Sequence, residues 1–257
     1  MEKIQVLINR YTNTKDSTII NEIFFCIQNF SRIILVNTKI ISKDDCENFL
    51  FFILDNTNDN PLLFETCTEI LSNFILSVMA DIALSKNLNV FSFLNNYFNK
   101  KEYNYRKLIA IFYLNISHTT SITLEKSIIE GMINHLSELA NDKCSDTKVY
   151  ITQTILNYIL KGEILCVILV ENKIISTLII IINNNNKEPS ILVPALKCLY
   201  NLLKIGEELK TKTLINHFAK IFVDENGFSC LSTLTNHINE NIQNFVIKIH
   251  TEFFPYL

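Results

Sequence analysis

Cys26-Ile27-Gln28-Asn29-Phe30, Ile70-Leu71-Ser72-Asn73-Phe74, Phe112-Tyr113-Leu114-Asn115-Ile116, Thr154-Ile155-Leu156-Asn157-Tyr158 and Cys198-Leu199-Tyr200-Asn201-Leu202 share one pattern, an Asn framed by apolar residues at fixed offsets. The asparagines follow one another at spacings of 44, 42, 42 and 44 residues. One such spacing is chance. Four within two residues of each other are a period, and a period of roughly 20–50 residues marks an array of repeated units.

The flanks carry the same period. Two residues before each Asn stand Ile27, Leu71, Tyr113, Ile155 and Leu199. One residue after stand Phe30, Phe74, Ile116, Tyr158 and Leu202. Six before are Ile23, Cys67, Ile109, Ile151 and Ala195; three before are Cys26, Ile70, Phe112, Thr154 and Cys198. Positions −6, −3, −2 and +1 form one helical stripe. Each unit therefore contains an amphipathic helix with its Asn beside the buried stripe.

A second marker follows each Asn by about 15 residues: Asp44-Asp45, Asn87 with Asn89, Gly131, and Asn172. These residue types tolerate left-handed backbone or flank helix ends. Apolar helices are expected next, over Phe49–Leu54, Val90–Leu94, Met132–Leu139 and Ile174–Ile182. Polar loops follow at 55–60, 99–104, 141–146 and 183–188. A short segment, a turn, a middle helix, a loop and a long helix in about 42 residues match an armadillo unit. HEAT units have this length with two helices. A propeller needs four strands per blade and many turn residues.

The expected fold is an all-α, right-handed armadillo solenoid of about five to six units, read as one domain over residues 1–257. Units end near 31, 75, 117, 159 and 203, and a terminal unit spans 204–257. That unit has Gly227 as its turn, Phe228–Leu234 as its middle helix, and Ile242–Phe253 as a last helix without a matching Asn. The first unit is expected to hold only its last helix, with one turn before it.

Composition excludes other classes. The chain of 257 residues is 48% hydrophobic and 19% charged, too apolar for disorder. It has four Gly, four Pro and no Trp, and no glycine-rich phosphate loop. The formal charge of −3, without a long basic block, argues against nucleic acid as a partner. No uninterrupted apolar run reaches the ~18 residues of a membrane span. The seven cysteines are spread evenly and no CxxC occurs, so they read as buried thiols in a reducing compartment. No catalytic set, metal site or cofactor is suggested by spacing, and an enzyme is not expected.

Two segments carry a family resemblance. Leu196-Lys197-Cys198-Leu199-Tyr200-Asn201-Leu202-Leu203-Lys204-Ile205-Gly206-Glu207-Glu208 resembles the ninth armadillo repeat of importin α, the nuclear-import adaptor. Glu225-Asn226-Gly227-Phe228 to Leu234, then His237-Ile238-Asn239-Glu240-Asn241, resembles the tenth. The resemblance implies a non-enzymatic adaptor of cytoplasm and nucleus. It would bind the backbone of an extended cargo peptide, a nuclear localisation signal, through the Asn ladder. Asn73, Asn115 and Asn157 would match the minor cargo groove, with Asn29, Asn201 and Glu69 as further peptide contacts. It also implies a recycling exportin as a partner for the C-terminal repeats, from Lys197 to Leu257. Importin β is not expected to bind, because no basic segment precedes the repeats.

The family places a Trp four residues before each Asn. Here that column holds Phe25, Glu69, Ile111, Gln153 and Lys197. The groove is therefore degenerate for basic signals. The alternative function is an armadillo scaffold for protein–protein interaction without signal binding. A ladder Asn bonding a neighbouring repeat would serve packing instead.

Overall fold

The computed structural model describes residues 2–36, 41–57, 60–77, 89–118, 126–213 and 215–255. Among them are fourteen helices and no strand. The chain divides into two compact units, Met1–Thr123 and Leu124–Leu257.

The first unit holds α1 (Glu2–Thr14), α2 (Ser17–Val36), α3 (Lys43–Asn56), α4 (Pro61–Leu76), α5 (Val90–Phe98) and α6 (Tyr103–His118). Helix α2 packs on α4 and α4 on α6, so three Asn-bearing helices lie side by side. The second unit holds α7 (Lys126–Leu139), α8 (Ser145–Ile159), α9 (Glu163–Glu171), α10 (Ile174–Asn184), α11 (Pro189–Thr213), α12 (His217–Asp224), α13 (Gly227–Ser232) and α14 (Glu240–Phe253). There α8 packs on α11 and α11 on α14.

The periodic stripe is the core. Ile23, Cys67, Ile109, Ile151 and Ala195 are all fully buried, as are Ile27, Leu71, Tyr113, Ile155 and Leu199. Thr154, the polar member, is buried too, and its hydroxyl donates to the Tyr150 carbonyl at 2.8 Å. Only Cys26 and Phe30 of the stripe are half-buried, and both lie on α2, the first Asn-bearing helix. The most apolar stretch forms α9 and α10, bent by 74° at their junction, with Ile174, Ile175, Leu178, Ile181 and Ile182 in the core. Among the described residues no single helix is long and apolar enough to cross a membrane.

Helix starts follow local chemistry. The Ser42 hydroxyl accepts from the Asp45 N–H at 3.1 Å and donates to the Asp45 carboxylate at 2.7 Å, with Asp44 and Asp45 in the first turn of α3. Asn60 accepts from the N–H groups of Leu62 and Leu63, with Pro61 opening α4.

Several expectations change. The segment before α2 forms a full helix of 13 residues, α1, rather than one turn. Of the turn markers, Asn87 lies outside the described residues, and Gly131 sits inside α7. Asn89 does take a left-handed turn, as expected of it, and the other left-handed positions are Lys15, Lys101, Lys173, Asn226 and Gly162. At the terminal unit Asn226 turns the chain. Gly227 is needed for a different reason: a Cβ there would overlap the Phe222 ring. The polar tract 183–186 is also more than a loop. Asn185 is buried, accepts from the equally buried Lys148 ammonium at 2.9 Å, and donates to the Ile181 carbonyl. A buried ammonium needs such an acceptor.

Candidate functional site

Side-by-side packing of α2, α4 and α6 places the −4 and 0 columns of one helix against the forward flank of the helix before it. Glu69, at −4 on α4, accepts from Gln28 Nε2 at 2.7 Å and from Arg32 Nε at 2.8 Å, and Arg32 Nη2 lies 2.6 Å away. Its carboxylate is thus already balanced by a guanidinium. Both side chains remain solvent-accessible, so the pair contributes only about 0–1 kcal/mol. Asn73, at position 0, is 9% exposed, and its amide nitrogen donates to Ser31 Oγ at 3.0 Å. The Ser31 hydroxyl in turn donates to the Gln28 carbonyl at 2.7 Å.

Asn29 makes no bond to a neighbouring repeat among the described residues. It folds back, donating to the Phe25 carbonyl at 3.0 Å, and Phe25 stands 62% exposed. Asn115 behaves differently again. It is half-buried at the edge of a groove of about 170 Å³ between α4 and α6. Glu65, Thr68, Glu69, Ser72 and Asn73 line it from α4, and Leu108, Ile111, Phe112 and Asn115 from α6. Among the described residues no hydrogen bond engages the Asn115 amide or the Ser72 hydroxyl. The groove therefore offers a donor–acceptor amide and a hydroxyl beside the apolar walls of Leu108 and Ile111.

In the second unit Asn157 lies half-buried on α8 and Asn201 half-buried on α11. Gln153 and Lys197, four residues before them, are exposed. Beyond Asn201 the face is closed by a cluster on α14. Tyr200 donates its hydroxyl to Glu252 at 2.8 Å, Lys248 Nζ lies 4.2 Å over the Tyr200 ring, and the Phe253 ring is 5.6 Å away. A hydrogen bond with the Tyr200 hydroxyl, with the Glu252 carboxylate nearby, holds the exposed Lys248 ammonium above its ordinary pKa.

The six proposed contacts thus divide between the two units. The first brings Glu69, Asn73 and Asn115 to one groove, while Asn29 stays on α2, bonded to its own helix. Sequence reasoning missed Gln28, Ser31 and Arg32, which engage Glu69 and Asn73. The signal was present: Ser31 stands one 42-residue period before Asn73, and Gln28 stands 41 before Glu69.

No family model matches the chain and no curated protein is matched. Solved structures do match over nearly the full length. An engineered protein is similar with a TM-score of 0.67 at 13% identity, covering 99% of this chain and 100% of the other. A designed armadillo repeat protein in complex with the peptide (KR)4 is similar with a TM-score of 0.66 at 14% identity, covering 98% of each. Computationally designed armadillo repeat proteins for modular peptide recognition are similar with a TM-score of 0.63 at 14% identity, covering 96% of each. The fold is thus an all-α armadillo repeat solenoid. The likeness is to that repeat fold in general.

Proposed function

We propose that this protein is a non-enzymatic armadillo scaffold that holds an extended segment of a partner protein in the groove between α4 and α6. The open amide of Asn115 is the observation that carries this reading. It lies beside an open serine hydroxyl in a groove whose other ladder Asn, Asn73, is braced from behind by Ser31. An amide that offers one donor and one acceptor can pair with a peptide backbone without selecting its side chains. The peptide recognition named for the designed armadillo proteins supports the same reading.

Adaptor work in nuclear import is the narrower form of this proposal, with cytoplasm and nucleus as its compartments and a recycling exportin on the C-terminal repeats. The Arg32–Glu69 pair and the exposed Lys197 favour the broader form, a sequence-tolerant scaffold, over one that reads basic signals. Fluorescence-polarisation titration of the full chain separates the two. An octapeptide alternating lysine and arginine that binds far more tightly than one alternating threonine and valine supports the import form. Comparable affinities, both lowered by Asn115→Ala, support the scaffold. No saturable binding of either peptide overturns the groove.

A further inference from the structure

A recess in the second unit lies away from the ladder, at an edge where two loops from different repeats meet. One is the 186–189 connection leading into α11, and the other is the 233–239 connection leading into α14. The cavity between them measures about 740 Å³, within the range that encloses a ligand of several residues. Ile238, on its wall, is 100% exposed, and Pro189 faces it from the other loop, also exposed. Two polar groups of the wall are engaged as acceptors, and the Thr233 hydroxyl is engaged as a donor to the Cys230 carbonyl at 2.9 Å. His237 Nδ1 accepts from the Asn239 N–H at 3.0 Å, which fixes the proton on Nε2 in the neutral ring. Asn239 Oδ1 accepts from the Asn241 N–H at 3.0 Å, which leaves its NH₂ group. Lys187 brings an ammonium. Among the described residues no carboxylate lines the cavity; Glu188 and Glu240 adjoin lining residues in sequence without joining the wall.

Beside the amides of Asn186 and Asn236, the remaining capacity therefore includes the donors of Lys187, His237 and Asn239, one of them charged, next to the exposed apolar side chains of Ile238 and Pro189. We infer that this edge cavity is a second docking site, independent of the Asn ladder, for an acidic segment of a partner protein. An aspartate or glutamate side chain would be held by Lys187, His237 Nε2–H and the Asn239 amide. An adjacent apolar side chain would be packed against Ile238 and Pro189. Charge complementarity selects this occupant: an ammonium with no lining carboxylate among the described residues favours an acidic segment over a basic one.

The test uses the full chain and a fluorescent octapeptide alternating aspartate and leucine. Saturable micromolar binding is expected, weakened about tenfold or more by Lys187→Glu and by Ile238→Ser. Both positions are exposed, so both variants should keep the fold. The titrations are run in the Asn115→Ala background, which weakens peptide binding at the groove, so that the binding read is that of the edge cavity. Absence of saturable binding overturns the inference. So does binding that survives both variants, equal binding of a lysine–leucine octapeptide, or displacement by inorganic phosphate with Ile238→Ser having no effect.

Discussion

Asn73 Nδ2 donates to Ser31 Oγ at 3.0 Å across 42 residues of sequence, one repeat length. The bond ties α4 to α2 in the repeat before it, and makes Asn73 a packing residue on one side and a groove residue on the other. Asn115, one repeat further on, has Ile75 at the position that Ser31 holds for Asn73, and its amide stays open.

That contrast predicts a split between the two asparagines. Asn73→Ala removes an inter-repeat hydrogen bond and should lower stability by about 0.5–1.5 kcal/mol. Asn115→Ala removes no internal bond and places a strong helix former on the helix, so its unfolding midpoint should stay within error of the parent. Denaturant melts of both variants check this, and equal losses would show that Asn115 also serves packing.

The Lys148–Asn185 pair should be costly to break. Asn185→Leu leaves a buried ammonium without its acceptor, for a loss of about 1–3 kcal/mol. Adding Lys148→Met should recover part of that loss, because removing both polar partners is cheaper than orphaning one. A urea melt of the single and double variants reads the difference.

Glycine substitutions should diverge by position. Gly227→Ala drives a methyl into the Phe222 ring and should destabilise by about 1–3 kcal/mol. Gly131→Ala meets open space on an exposed helical site and should stabilise by up to about 1 kcal/mol. Thermal melts with circular dichroism distinguish the two signs.

The cysteines should label in two classes. Burial pushes the thiols of Cys46, Cys67, Cys166 and Cys230 up to about 12, and that of Cys198 up as well. Since the thiolate is the nucleophile, these five should resist iodoacetamide in the native protein. The half-buried Cys26 and Cys144 should be alkylated first. Peptide mass mapping after a timed pulse gives the order, and early labelling of Cys67 or Cys198 would contradict the burial.

The repeat was legible because burying one stripe of every long helix forces a period on the sequence, as the buried columns from Ile23 to Ala195 show. The turns were less so. Composition points to glycine, yet Gly131 and Gly206 lie inside helices, and Lys15, Lys101 and Lys173 take the left-handed positions. A lysine there bears a steric cost that only its neighbours fix, so no residue pattern announces it. Within the candidate site the Asn column could be read directly. The state of each Asn could not, since it depends on the residue one repeat earlier: Ser31 for Asn73, Ile75 for Asn115.

The most direct test of the groove is the side-chain amide resonance of Asn115 in the full, ¹⁵N-labelled chain, assigned by its loss in Asn115→Ala. Titration with the octapeptides alternating lysine–arginine and threonine–valine should shift that resonance in step with binding, while the Asn29 amide, bonded to its own helix, moves little. A bound peptide that leaves the Asn115 resonance in place would contradict the account.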